Sequence, residues 1–125
     1  MLDTKELAFK VAELINEKKG ENILIIDMKD VSIICDYFII ANGTSRIHNK
    51  AIANYLEMPL KYDYEMDQKK IQGKQDGGWL LIDYGTIVIH IFLDNLRAYY
   101  NLEELWKDGE IIKPEFQEPD LLKKQ

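Results

Sequence analysis

The amino-acid sequence predicts an α/β (α+β) fold in which a mixed sheet of about five strands is flanked by helices. Short β-branched runs alternate along the chain with stretches of helical apolar spacing. The composition, 46% hydrophobic and 30% charged, is that of a globular chain, and 125 residues suffice for one hydrophobic core. We therefore expect a single domain over residues 1–108, followed by a C-terminal tail over residues 109–125.

A first helix is predicted at residues 3–19. Apolar side chains recur there at helical spacing, and Asp3, with Glu6 three positions later, resembles an acidic capping box. Gly20 is expected to end the helix, because glycine readily adopts the left-handed conformation that often follows a helix C-terminus.

Two strands are predicted next. The β-branched run at residues 22–28 has the length and chemistry of a buried strand. A second apolar run at residues 37–41 leads into Asn42-Gly43, where positive backbone angles cost little. The second strand is therefore expected to end at that turn.

A second helix is predicted after this turn, with Thr44 or Ser45 as its cap. Pro59 lacks the backbone N–H that would bond four residues back. The helix is therefore expected to kink or end near Glu57. The polar segment that follows indicates a loop with a short edge strand at residues 70–72.

The stretch "WLLIDYGTIVIHIF" at residues 79–92 predicts a β-hairpin whose turn contains Gly85. Both of its strands are largely apolar on both faces, which indicates a central position under helices. A helical stretch is expected to begin at Asp94 or Asn95. Residues 109–125 contain two prolines and little periodicity, which is typical of a tail that packs only in part.

Charge and cysteine content exclude several classes of protein. The net charge of −6 disfavours direct binding to nucleic acid and favours basic partners. A single cysteine, Cys35, makes no internal disulfide and indicates a reducing compartment. No apolar run approaches the roughly 18 residues of a membrane span, and the N-terminal sequence lacks signal-peptide character. We therefore expect a cytoplasmic protein.

His90 stands out on an otherwise apolar strand. We interpret it as a hydrogen-bonded core or interface residue rather than a general base, because Asp83 lies at the far end of the same hairpin. His48 is interpreted as a solvated side chain and Cys35 as a small buried hydrophobic residue. Neither histidine has the spacing of a metal ligand. No catalytic residue, metal or cofactor is predicted.

The stretch "ANGTS" before the second helix is a weak candidate for an anion-binding turn. It also resembles the opening turn of nucleotidyltransferases, whose chemistry needs two or three acids around a divalent metal. No Asp-x-Asp or Asp-x-Glu pair follows on a strand. A nucleotide-using transferase with a degenerate site is therefore the alternative hypothesis.

The segment after the hairpin is rich in side chains that dominate protein interfaces: Arg97, Tyr99, Tyr100 and Trp106. The same aromatic residues could instead close the core over the hairpin. The sequence supports the two interpretations about equally, although Arg97 and the outer edge of Tyr100 are expected to face a partner.

Four segments together resemble the ribosomal silencing factor S family, also called the Iojap family: "DYFIIANGTS", "AIANYLE", "GWLLIDYGTIVIHIF" and "LRAYYNLEELW". The similarity extends from about Leu7 to Trp106. Thr86 departs from the family pattern, which commonly has an acid after the glycine, so one charged contact to a basic partner is expected to be missing. Pro59 also departs, since it falls in what is usually a continuous helix.

The resemblance implies a nucleotidyltransferase-like fold without a catalytic task. It implies binding to the large ribosomal subunit through its fourteenth protein, which would sterically block the small subunit and repress translation when nutrients are scarce. Self-association of the free protein into a homodimer is a further hypothesis. The residues that the resemblance assigns to partner binding are Trp79, Asp83, Tyr84, His90, Arg97, Tyr100 and Glu103.

Overall fold

A computed structural model describes residues 2–100 and 108–116, without the side chains of residues 98–100. It contains three helices and six strands in these residues. They are α1 (Thr4–Glu17), β1 (Glu21–Asp27), β2 (Tyr37–Gly43), α2 (Arg46–Tyr62), β3 (Lys70–Gln72), β4 (Trp79–Asp83), β5 (Ile87–Leu93), α3 (Asp94–Tyr100) and β6 (Glu110–Ile112). In this part of the chain, none of the helices has the length and apolar character needed to cross a membrane.

The strands form one mixed sheet in the order β3-β4-β5-β2-β1-β6. The two central strands, β2 and β5, run parallel, and every other neighbouring pair is antiparallel. Helices α1 and α2 pack on one face of the sheet, where most of the hydrophobic core lies. The predicted fold class, a mixed sheet flanked by helices, is confirmed.

Helix α1 begins and ends through local contacts. The Asp3 carboxylate accepts a hydrogen bond of 2.8 Å from the backbone N–H of Glu6, which confirms the cap. At the other end, the left-handed residue is Lys19, with a φ of 64°. Gly20 does not have a positive φ, but a Cβ there would overlap the side chain of Ile15. Glycine is thus required at position 20 for close approach rather than for the predicted backbone angle.

Helix α2 continues through Pro59 to Tyr62, so the predicted end near Glu57 is wrong. Pro59 removes one helical hydrogen bond. Leu56 and Leu60, on either side of it, are fully buried against the core. Their packing holds the last turn of α2 in place in spite of the missing donor, which is a tertiary effect that local propensity does not reveal.

The hairpin formed by β4 and β5 and the edge strand at residues 70–72 are both present as predicted. Gly85 has a φ of 88°, which the turn requires. The Asp83 carboxylate accepts a hydrogen bond of 2.7 Å from the Gly85 N–H and so fixes the turn.

A sixth strand, β6, lies in the segment that we expected to be a tail. Ile112 is paired with Ile25 and Ile111 with Ile26, so β6 extends the sheet beyond β1. Ile112 packs against the main core. The two prolines and weak periodicity of residues 109–125 predicted a tail, and pairing with β1, for which there is no local pattern, is why the sheet has six strands in the described residues rather than about five.

Candidate functional site

The sheet face that points away from α1 and α2 carries a group of aromatic and apolar side chains, which we call the aromatic face. Side chains alternate between the two faces along β4 and β5, so every second residue of these paired strands lies on this face. Phe38 of β2, which pairs with Val88 of β5, adds one more aromatic ring. Helix α3 packs at one end of this face. The members of the aromatic face are Phe38, Trp79, Leu81, Val88, His90 and Phe92.

His90 lies at the centre of the aromatic face and is 2% exposed. Its Nδ1 accepts a hydrogen bond of 3.1 Å from the Trp79 indole Nε1, so the proton of the neutral ring is carried by Nε2. The ring centroids of Phe38 and Phe92 lie 5.4 and 6.0 Å from that of His90. His90 therefore fixes the orientation of Trp79, which is only half-buried.

Burial lowers the pKa of His90 from 6.5 to about 4. The imidazole is thus neutral at physiological pH. Asp83 pairs with Val88 rather than with His90, and its carboxylate is bonded to the turn. The structure therefore keeps the two residues apart, as their places in the hairpin predicted.

Arg97 anchors α3 to the sheet at one end of the aromatic face. Its Nη1 donates hydrogen bonds to the Asn22 carbonyl at 2.6 Å and to the Asn42 Oδ1 at 2.7 Å. The Asn42 Nδ2 in turn donates to the Asp94 carboxylate at 2.6 Å. An open cavity of about 470 Å³ lies beside these residues, with Lys113 at its border.

The position of Arg97 differs from our expectation that it faces a partner. Only 7% of the residue is exposed, and it holds α3 against β1 and β2. Asn42, which we interpreted only as a turn residue, is equally buried and completes the same network. Its partner Arg97 is 55 residues away in sequence, and no local pattern reveals such a pairing.

Asp83 follows Trp79 and Leu81 in the alternation along β4, at the turn end of the aromatic face, whereas Tyr84 is not on this face. Tyr84 points to the opposite side of the sheet, where burial raises its pKa to about 12. It borders an open cavity of about 640 Å³ together with Leu7 and Met66. The backbone of Tyr100 ends α3, and Glu103 lies outside the described residues.

The connection between β1 and β2 exposes a run of apolar residues, Val31 to Ile34, which we call the apolar loop. Ile33 and Ile34 are almost entirely exposed. The loop is closed by a hydrogen bond of 2.7 Å from the Met28 N–H to the Asp36 carbonyl, and the Ser32 hydroxyl accepts one of 3.0 Å from the Ile34 N–H. No role was predicted for these isoleucines from the sequence.

The apolar loop leads directly into the aromatic face. Cys35, the next residue, is buried in the same cluster as Val88 and Phe92, with Phe38 packed against it. Burial raises the pKa of the Cys35 thiol to about 11, as is typical of a structural cysteine rather than a nucleophile. Exposed aliphatic residues next to half-buried aromatic ones are characteristic of a protein-docking surface.

The turn before α2 uses its backbone donors internally. The Thr44 N–H donates to the His48 Nδ1 at 2.9 Å, and the His48 N–H donates to the Ser45 hydroxyl at 3.0 Å. The His48 Nε2 donates to the Lys18 carbonyl at 2.8 Å. His48 therefore ties α1 to α2 and is not the solvated side chain that we expected. These bonds also weaken the hypothesis of an anion-binding turn.

Acidic, histidine and cysteine side chains do not converge on a metal site within residues 2–100 and 108–116. In this part of the chain, the aromatic face and the apolar loop form the candidate site that we consider. Its chemistry is that of protein recognition, because buried polar groups orient the rings and exposed aliphatic groups border them.

Comparison with known proteins gives consistent matches. The model of the family described as ribosomal silencing factor during starvation matches residues 2–125. The ribosomal silencing factor RsfS of Halalkalibacterium halodurans is 34% identical over 114 residues, which cover 91% of this chain and 97% of that protein. The mouse protein named mitochondrial assembly of ribosomal large subunit protein 1 is 35% identical over 98 residues, covering 77% of this chain and 43% of that protein.

The fold is similar to that of a solved structure. A crystal structure of a protein from Chromobacterium violaceum matches with a TM-score of 0.80 at 30% sequence identity. The match covers 94% of this chain and 95% of that one.

Proposed function

This chain belongs to the ribosomal silencing factor family, and we propose that it binds the large ribosomal subunit through its fourteenth protein and sterically blocks joining of the small subunit. Translation would thereby be repressed when nutrients are scarce. The bacterial relative is named as a silencing factor rather than an enzyme, which supports a binding role in translation regulation. We propose that this action takes place in the cytoplasm.

The observation that carries the proposal is the junction of the apolar loop with the aromatic face. Ile33 and Ile34 present aliphatic side chains to solvent in the loop that enters β2, the strand that carries half-buried Phe38. Half-buried Leu81 and Trp79 lie farther from the loop on the same sheet face. Docking of a protein would remove this apolar surface from water, at about 25 cal/mol for each Å² buried. His90 and Arg97 would contribute from beneath the surface by fixing Trp79 and α3.

The charge of the chain favours the same class of partner. Ribosomal proteins are generally basic, and a net charge of −6 would accelerate their encounter with this chain. Asp83, at the turn beside the aromatic face, is half-exposed and is proposed to meet a basic side chain of the partner. If the free chain forms a dimer through the same face, the second copy and the ribosomal partner would compete.

Sucrose-gradient sedimentation tests the proposed function. Purified large and small subunits are mixed with the protein at physiological salt, and joined ribosomes are measured against separate subunits. The protein is expected to shift the profile toward separate subunits and to comigrate with the large one. Joined ribosomes in undiminished amount would contradict subunit blocking.

Substitution of the apolar loop locates the docking surface. Ile33→Ser combined with Ile34→Ser should weaken binding to the large subunit by about tenfold or more, because two exposed aliphatic contacts of roughly 1 kcal/mol each are lost. Both side chains are exposed in the free protein, so folding should be retained. Ile47→Ser, at an exposed isoleucine on α2, is the matched control. Equal binding of both variants would show that the loop is not the docking surface.

A further inference from the structure

Helix α2 carries apolar side chains on two opposite sides. One side packs into the core through residues that include Ile52, Leu56 and Leu60. The other side carries five residues spaced by three or four positions, which places them in one line along the helix. We call this line the outer stripe, and its members are Ile47, Ala51, Tyr55, Met58 and Tyr62.

The outer stripe is exposed where a helix on a globular core would ordinarily be polar. The exposed fractions are 79% for Ile47, 37% for Tyr55, 62% for Met58 and 64% for Tyr62. These four account for half of the eight large apolar side chains that are exposed in the described part of the chain. Scattered apolar residues on a surface need no explanation, but a continuous line along a 17-residue helix does.

Positive charges border the outer stripe. The Lys18 ammonium lies 5.5 Å from the centre of the Tyr55 ring, and the Lys61 ammonium lies 5.3 Å from that of Tyr62. Lys50, on the same flank as Lys61, donates to the Gln75 carbonyl at 2.8 Å and keeps its charge beside the stripe.

Arg46 adds a fourth positive charge to the border, 3.6 Å from Asp76. Glu57 is the acid of α2 that lies on this flank. Lys18, Lys50, Lys61 and Arg46 against Glu57 and Asp76 leave these named groups positive by 4 − 2 = +2, although the chain as a whole carries a net charge of −6. Positive groups around an exposed apolar surface favour a partner that carries negative groups around its own apolar surface.

We propose that the outer stripe is a second docking surface, which accepts an amphipathic helix of a partner protein whose apolar face is bordered by acidic residues. Helix α2 is about 25 Å long at 1.5 Å per residue, which suits a partner helix of similar length. A second copy of this chain fits less well, because two outer stripes packed together would bring the same lysines into apposition.

Two designed peptides test the proposal with the full chain. Each is a helical peptide of about 20 residues with leucine at every third or fourth position. One has glutamate on both borders of the leucines, and the other has lysine there. Fluorescence anisotropy at physiological salt should show the glutamate-bordered peptide binding about tenfold more tightly, because several exposed charge pairs each strengthen binding by a small factor.

Variants of the chain complete the test. Met58→Ser combined with Tyr62→Ser should weaken binding of the glutamate-bordered peptide by about tenfold, whereas Ile33→Ser in the apolar loop should leave it unchanged. Equal binding of both peptides, or no loss in the double variant, would overturn the proposal. So would a concentration-dependent dimer that the double variant abolishes, or preferential binding of vesicles containing anionic lipid. None of these readouts depends on the ribosome, so they separate this inference from the proposed function.

Discussion

His90 shows how a single buried residue couples the aromatic face to pH. Its pKa of about 4 lies below the usual value of 6.5. Between about pH 4 and pH 6.5, His90 binds a proton in the unfolded chain but not in the native chain. The contribution of His90 to stability is therefore fully present above about pH 6.5 and is lost as the pH falls toward 4.

We predict that His90→Asn removes this dependence, since the asparagine Oδ1 keeps an acceptor for the Trp79 indole but does not titrate. Urea unfolding of both proteins between about pH 7 and pH 4.5 should show their free energies of unfolding converging by up to about 3 kcal/mol as the pH falls. All other titratable groups are common to both proteins, so their effects cancel in the difference. A difference that stays constant with pH would contradict the role of His90 burial.

Single residues also show where sequence reasoning succeeds and where it fails. His90 was correctly interpreted as a buried, hydrogen-bonded side chain, because its strand is apolar on both faces. Arg97 was expected at the surface because its neighbours in sequence are aromatic. The residues that bury it, Asn22 and Asn42, lie in β1 and β2, and such distant pairings have no local signal.

At the scale of elements, predictions held where the signal was local. The alternation at residues 79–92 and Gly85 predicted the hairpin, and the short edge strand at residues 70–72 was also found. Tertiary packing decided the remainder. Packing against the core keeps α2 helical through Pro59. Pairing with β1 makes residues 110–112 a strand.

Strand β6 provides a test at this scale. Ile112 packs into the main core, while its neighbour Ile111 is 42% exposed. Ile112→Ser should therefore lower the free energy of unfolding by about 1–2 kcal/mol, and Ile111→Ser by about 0.5 kcal/mol or less. Urea denaturation monitored by tryptophan fluorescence measures both. Equally small losses would indicate that β6 contributes little to the sheet.

On the scale of the whole molecule, seven of the eight large apolar side chains that are exposed in the described residues fall into two separate groups, and the eighth is Ile111 in β6. The apolar loop borders the aromatic face, and the outer stripe lies on the far side of the helices. The sheet and its core separate the two surfaces. A partner on one surface therefore leaves the other accessible.

We predict that the two surfaces bind independently. A saturating concentration of the glutamate-bordered peptide should leave binding to the large subunit unchanged within about twofold, because sites that share no contacts are usually additive. Cosedimentation of labelled peptide with the protein and the large subunit would detect the ternary complex. Displacement of either partner by the other would contradict two separate surfaces.

The central pairing of β2 with β5 has a consequence for synthesis of the chain. These parallel strands are about 50 residues apart, and β2 has an open edge until residues 87–93 have left the ribosomal exit tunnel. Strand β1 gains its outer neighbour only when residues 110–112 emerge. The nascent chain thus exposes unpaired strand edges until residues 110–112 have emerged, and its folding is expected to be slowed by its non-local contacts.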